Sequence, residues 1–351
     1  MQKKFCALVM LSFLCWLPNQ ILAEKQVSQE FQVGQSSQEN TIYFPQENGE
    51  AILLVDGKFY YSKTPNTVNT WELINISFSP TNPLTFEPLF SKVVSYKGYN
   101  YVSSSYTIKE NHTNKGEIRN TEIWRLKKSN PKKLEKVAEL KNTGFLAFIN
   151  VFNNKLLITG SNGKSWLSTN GISYTEKNIT GLPKNLEITS AVVINNDDNK
   201  SQFFVSGLAQ KNLVYYSNNL SRWHKNNAKF PKKEKNIRQL VEFNNALYTV
   251  SEINDNNCQV LKLVDKKWQL VYSLNAETAF LQSTDNNLYL SDYFTEKDKI
   301  KIIQTADGKN FTQIYSSAVN DNFFPFFIAV DDELFARLEL NKFTLSMYRV
   351  K

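Results

Sequence analysis

Residues 146–178 read LAFINVFNNKLLITGSNGKSWLSTNGISYTEKN, and their punctuation decides the fold. Apolar alternation in LAFINVF breaks at Asn153-Asn154, resumes in KLLITGS and KSWLST, and ends with ISYTEKN. Tight hairpins need positive φ at the turn, which Asn and Gly adopt cheaply and β-branched residues do not. The segment therefore predicts four short antiparallel strands in chain order.

The same scheme of strand, turn and strand recurs outward in both directions. It appears at Asn244-Asn245, in STDNNLYL and AVDDELFA, at Lys97-Gly98, at Asn48-Gly49, and more loosely at Asn195-Asn196. The second turn residues stand at 49, 98, 154, 196, 245, 287 and 332, with gaps of 49, 56, 42, 49, 42 and 45. A repeat of about 40–50 residues holding four strands is the mark of a propeller blade. The chain is expected to be all-β, a seven-bladed β-propeller over residues 24–351, with six blades as the alternative because the first two repeats are least regular. The last repeat is one strand short, and Gln29-Glu30-Phe31-Gln32-Val33 is read as the outer strand that closes the ring. Residues 132–141 (KKLEKVAELK) read either as an outer strand or as a short helix.

A polar corner precedes an aromatic near the end of several repeats. The copies are Ser168-Thr169-Asn170-Gly171-Ile172-Ser173-Tyr174, Ser217-Asn218-Asn219-Leu220-Ser221-Arg222-Trp223 and Thr305-Ala306-Asp307-Gly308-Lys309-Asn310-Phe311. Val264-Asp265-Lys266-Lys267-Trp268 is a shorter version, and Trp71 closes a longer one. Each Asp or Asn is expected to bond its own turn backbone while the aromatic plugs between blades. This pattern resembles a degenerate Asp-box, the bacterial neuraminidase repeat of sialidase-like β-propellers. The resemblance implies a structural corner remote from any active site, so it bears on fold rather than activity.

Composition and charge narrow the function. The 351 residues are 41% hydrophobic and 21% charged, with 24 Phe, 16 Tyr and 6 Trp, a globular and strand-favouring mixture. The first 23 residues carry Lys3 and Lys4, an apolar run over 5–17, and Ile21-Leu22-Ala23, the tripartite pattern of a secretory signal peptide. Cleavage after Ala23 lowers the net charge from +8 to +6 and leaves Cys258 as the lone cysteine, which excludes an internal disulfide. The protein is expected to be secreted or periplasmic, a monomer, without a transmembrane segment in the mature chain. Its lysine pairs are scattered, and export argues against nucleic-acid partners.

Chemistry is sparse. His112 and His224 are the two histidines, with no spacing that suits a metal, so neither metal nor cofactor is expected. The run 195–199 (NNDDN) lacks the Gly and Glu of a calcium loop. The sialidase resemblance would imply three arginines clamping a substrate carboxylate, one within Arg-Ile-Pro. The six arginines here (Arg119, Arg125, Arg222, Arg238, Arg337 and Arg349) include no such motif. Sialidase activity is therefore not expected. The binding candidates are Asp292, Tyr293 and Phe294, a carboxylate beside aromatics in a loop, and His112. The expected function is a non-enzymatic binding module that recognises an extracellular or envelope protein or glycan through one end of the ring. The alternative is a glycoside hydrolase or lyase using two loop carboxylates.

Overall fold

The computed structural model describes residues 26–32, 42–55, 57–65, 67, 69–77, 93–108, 118–195, 201–208, 213–231, 236–254, 257–276, 278–293, 299–318, 326–329, 334–339 and 344–349. They form seven four-stranded antiparallel sheets, six of them built from strands consecutive in sequence. The third sheet is the opening segment: Ala147–Phe152, Lys155–Gly160, Ser165–Ser168 and Thr175–Lys177. The seventh combines Phe326–Ala329, Leu334–Glu339 and Thr344–Arg349 with Gln26–Gln32, which runs antiparallel to Thr344–Arg349. The arrangement is a β-propeller of four-stranded blades. Among the described residues no helix is long and apolar enough to cross a membrane.

First strands lie against first strands. Ala147–Phe152 contacts Glu187–Asn195, which contacts Asn236–Phe243, which contacts Thr278–Ser283. In these sheets the first strand therefore lies inward and the fourth outward. Side chains tie these inner strands together. Between first strands, Gln239 Oε1 accepts from the Leu281 N–H at 3.0 Å, and from the second strand of its sheet Ser103 Oγ donates to the Ala147 carbonyl at 3.1 Å. Ser190 Oγ both accepts from the Leu240 N–H at 3.0 Å and donates to its carbonyl at 3.1 Å. Register shifts after Ile188 and Ile237 leave Thr189 and Arg238 unpaired, and these bulges bring Ser190 and Gln239 to the next sheet.

Between the sheets lie apolar layers. Phe44, Ile52 and Leu54 of the first sheet pack on Trp124 and Leu126 of the second. Tyr96, Tyr101 and Ile123 meet Ile149 and Ile158 of the third, and Phe148 and Leu157 meet Phe203 and Trp223 of the fourth. Burying each such side chain contributes about 1.5–3 kcal/mol. The aromatics that follow the polar corners sit in these layers: Tyr174, Trp223, Trp268 and Phe311 each pack with residues of the preceding sheet.

The corners at residues 168, 217 and 305 share one hydrogen-bond pattern. Asp307 Oδ1 accepts from the N–H groups of Lys309 and Asn310 at 2.8 Å each, while Thr305 Oγ1 accepts from Gly308 N–H at 3.0 Å. Asn170 and Asn219 accept from the corresponding amides at 2.9–3.0 Å. Those bonds hold the Asp307 carboxyl well below the usual carboxylate range, the Asn310 and Lys309 amides first. The left-handed residue of each corner faces a residue of the previous sheet, three places after its hairpin turn. Gly171 abuts the hydroxyl of Tyr101, and Gly308 that of Tyr248. In the remaining corner the residue is Leu220 (φ 66°), clustered with Leu157.

Several expectations need correction. Lys97-Gly98, Asn153-Asn154 and Asn244-Asn245 are two-residue turns with both φ positive. Asn48-Gly49 instead lies in a five-residue connection with a 3-10 turn, and Asn286-Asn287 ends a four-residue one. Asp265-Lys266 is itself a two-residue turn rather than a shortened polar corner, both residues being left-handed. Residues 132–141 contain the outer strand Leu134–Leu140, because pairing with Ile118–Lys127 satisfies its backbone. The turns expected at 196 and 332 lie outside the described residues.

Candidate functional site

The antiparallel order gives the propeller two ends. One carries the first hairpins and the polar corners; the other carries the second-to-third-strand loops and the connections between sheets, and Asp292 and Tyr293 end their strand towards the latter. Asp292 and Tyr293 end the strand Leu288–Tyr293, paired with Ala279 and Thr278. Phe294 and His112 lie outside the described residues. His224 is an exposed outer-strand residue, tilted against Tyr216 at 5.6 Å, remote from this end. Cys258 is fully buried, its thiol bonded to the Ala276 carbonyl at 3.3 Å, so it is packing rather than a nucleophile.

The most defined feature of the loop end was not signalled by any motif. It is the connection at 141–146 between the second and third sheets. Thr143 is fully buried; its N–H donates to Arg119 O at 2.9 Å, and its hydroxyl lies 2.7 Å from that of Thr121. Asn142 is left-handed (φ 53°), and its N–H bonds Asn120 Oδ1 at 3.0 Å. Gly144 is left-handed too (φ 81°), and a Cβ there would collide with Ser161 Oγ. From the third sheet, Asn162 Nδ2 donates to Asn142 O at 2.6 Å and Leu146 N–H to Ser161 Oγ at 3.3 Å.

Out of this pinned turn projects Phe145, 46% exposed. The Arg119 guanidinium lies over its ring, 3.8 Å from the centroid, and donates to its carbonyl at 3.4 Å. The ring thus follows two left-handed residues, Asn142 and Gly144, in a turn that hydrogen bonds hold on both sides. The Asn-Thr-Gly-Phe string was the available signal, since it sets a large apolar residue directly after turn formers.

Other polar side chains of the second sheet face the first. The Lys136 ammonium is 2.9 Å from Glu122 Oε1, a carboxylate with 1% side-chain exposure, and 3.7 Å from Glu139 Oε2. Asn120 Nδ2 lies 3.4 Å from both Glu139 Oε1 and the Tyr106 hydroxyl. Glu122 raises the pKa of Lys136, chiefly through their hydrogen bond, and burial raises that of Tyr106. The two carboxylates share one ammonium, which neutralises one charge and fills the space between them. This is an ion-pair network across outer strands. At the opposite end of the propeller, a polar cavity of about 360 Å³ is lined by Glu242, Asn244, Asn245, Ser283, Thr284 and Asp285. Among the described residues no three His, Cys, Asp or Glu side chains converge to hold a metal.

No family model matches the chain, and no curated protein matches it. Solved structures do. A chain of the COPII outer coat vertex on membranes aligns at TM-score 0.53 and 11% identity, covering 92% of this chain and 85% of that one. A Trypanosoma rangeli sialidase mutant displaying trans-sialidase activity aligns at TM-score 0.42 and 10% identity, over 94% of this chain and 58% of that one. A putative exo-β-1,3-galactanase from Bifidobacterium bifidum aligns at TM-score 0.37 and 10% identity, over 57% and 85%. Of these three, only the coat chain exceeds a TM-score of 0.5, and at its identity the likeness is one of fold.

Proposed function

We propose that the protein is an exported, non-enzymatic binding module that recognises a protein or glycan through the loop end of its propeller. In this reading the signal segment is removed after Ala23, the seven sheets are seven blades of one ring, and Gln26–Gln32 latches the last blade. The polar corners at 168, 217 and 305 are Asp-boxes in their structural role, and Asp292 and Tyr293 contribute to the recognition surface.

The observation that carries the reading is Phe145. An exposed ring is fixed by a turn bonded to two sheets and braced by Arg119, so its recognition geometry is set before a ligand arrives. The test takes the protein from its own host and sequences its N-terminus. The same material is then probed with arrays of glycans and extracellular proteins beside a panel of chromogenic glycosides. The expected result is a chain beginning at Glu24 that captures a ligand without turnover. Turnover abolished by replacing a single carboxylate at the loop end would overturn the proposal, as would an intact Met1 in the cytosol.

A further inference from the structure

We propose that Asn48 is a site of spontaneous covalent modification, the point at which the folded chain deamidates and gains a carboxylate. The chemistry needs an Asn whose side-chain carbonyl carbon can be reached by the next backbone nitrogen. Glycine in the next position resists this least, because it has no Cβ. The Gly49 nitrogen attacks Asn48 Cγ and closes a cyclic succinimide. The Cγ–Nδ2 bond breaks, and the nitrogen's proton departs with the ammonia released. Water then opens the ring at either carbonyl and leaves aspartate or isoaspartate.

The chain contains three Asn-Gly pairs, beginning at Asn48, Asn162 and Asn170, and the structure separates them. Asn170 Oδ1 accepts from the N–H groups of Ile172 and Ser173 at 2.9 Å each and from Ser168 Oγ at 3.0 Å. The attacking nitrogen is engaged as well: Gly171 N–H donates to Ser168 Oγ at 2.8 Å, and the Tyr101 hydroxyl fills the space over Gly171. Asn162 is held at both ends of its amide. Its Nδ2 donates to Asn142 O at 2.6 Å, and its Oδ1 accepts from Lys164 N–H at 3.1 Å. Gly163 N–H donates to Gly160 O at 2.9 Å. At both places the ring closes only after several hydrogen bonds open together. Asn48 lacks these restraints. It is exposed and left-handed (φ 59°), and its side chain finds no hydrogen-bond partner among the described residues. A Cβ built on Gly49 would meet nothing within 4 Å, so the succinimide has room to form. The backbone bonds of this turn, Gln46 N–H to Glu50 O at 2.8 Å and Glu50 N–H to Glu47 O at 3.2 Å, leave the Asn48 amide free to rotate. Either product adds a negative charge next to Glu47, in the connection between the first two strands of the first sheet.

The test ages the folded full chain at mildly alkaline pH and follows deamidation at each Asn-Gly pair by peptide mapping, beside the same chain unfolded in urea. In the folded protein Asn48 is expected to convert at least about tenfold faster than Asn162 or Asn170, since each bond that must open first lowers the reactive population severalfold. In urea the three sites convert at comparable rates. Asn48→Gln abolishes the early acidic band on isoelectric focusing, because the longer side chain closes its ring slowly. Conversion of Asn162 or Asn170 in the folded protein as fast as that of Asn48 overturns the proposal. So does an Asn48 that stays intact in the folded chain after the urea sample has converted, and so does an acidic band that persists in Asn48→Gln.

Discussion

Replacing Gly308 by alanine should destabilise the propeller by an amount that depends on one atom of the neighbouring sheet. Gly308 is left-handed at φ +68°, and a Cβ there would press into the Tyr248 hydroxyl oxygen, with Cζ next at 3.0 Å. Left-handed backbone costs a non-glycine residue about 1–2 kcal/mol, and overpacking a tight site about 1–3 kcal/mol more. Gly308→Ala should therefore cost roughly 2–5 kcal/mol. Tyr248 is fully buried, and its hydroxyl finds no hydrogen-bond partner among the described residues. Tyr248→Phe should then be near neutral, because no bond is lost and an unsatisfied polar group leaves the interior. In that background the nearest atom of the clash is gone and only the 3.0 Å approach to the ring carbon remains, so the cost of Gly308→Ala should fall towards the backbone strain of about 1–2 kcal/mol. The assay is urea unfolding of the four proteins of the cycle, with midpoints and slopes compared. A coupling energy of about 1–3 kcal/mol is expected. A coupling below about 0.5 kcal/mol, or a Gly308→Ala cost unchanged by removing the hydroxyl, would refute the steric account.

Two further substitutions probe the same architecture. Asp307→Asn should flatten the acid limb of stability: a carboxyl depressed in the folded state contributes above its unfolded value and loses that contribution as pH falls below about 4. The variant should be less stable than wild type at pH 7, having lost the Asn310 Nδ2 bond to Asp307 Oδ2, and the difference should shrink steadily as pH falls from about 4 towards 2. Thermal midpoints across pH 2–7 read this out, and parallel curves would refute it. Ser190→Ala strands both the N–H and the carbonyl of Leu240 and should cost about 1–3 kcal/mol in urea unfolding. A loss within about 0.5 kcal/mol would show that the inner strands do not depend on that bond.

What the sequence by itself determined was the local geometry that residue chemistry enforces. Asn153-Asn154 and Asn244-Asn245 mark two-residue hairpins because both turn positions require positive φ, and the polar corners at 168, 217 and 305 were legible because an Asx side chain must sit two or three residues from the amides it caps. The same chemistry misled at Asn48-Gly49, where left-handed residues serve a 3-10 turn, and at Asp265-Lys266, where they close a hairpin instead of a corner. The strand Leu134–Leu140 was ambiguous because a short apolar pattern fits either period until a partner strand accepts its backbone. Tertiary structure alone decided the contacts between sheets. Tyr248 meets Gly308 from 60 residues away, Ser190 meets Leu240 only because a bulge re-aims it, and Arg119 covers Phe145 across a connection whose path depends on both flanking sheets. Such pairings follow from the angle and spacing at which finished sheets pack, and no residue encodes those distances alone; the face that presents Phe145 therefore appeared only once the sheets were in place.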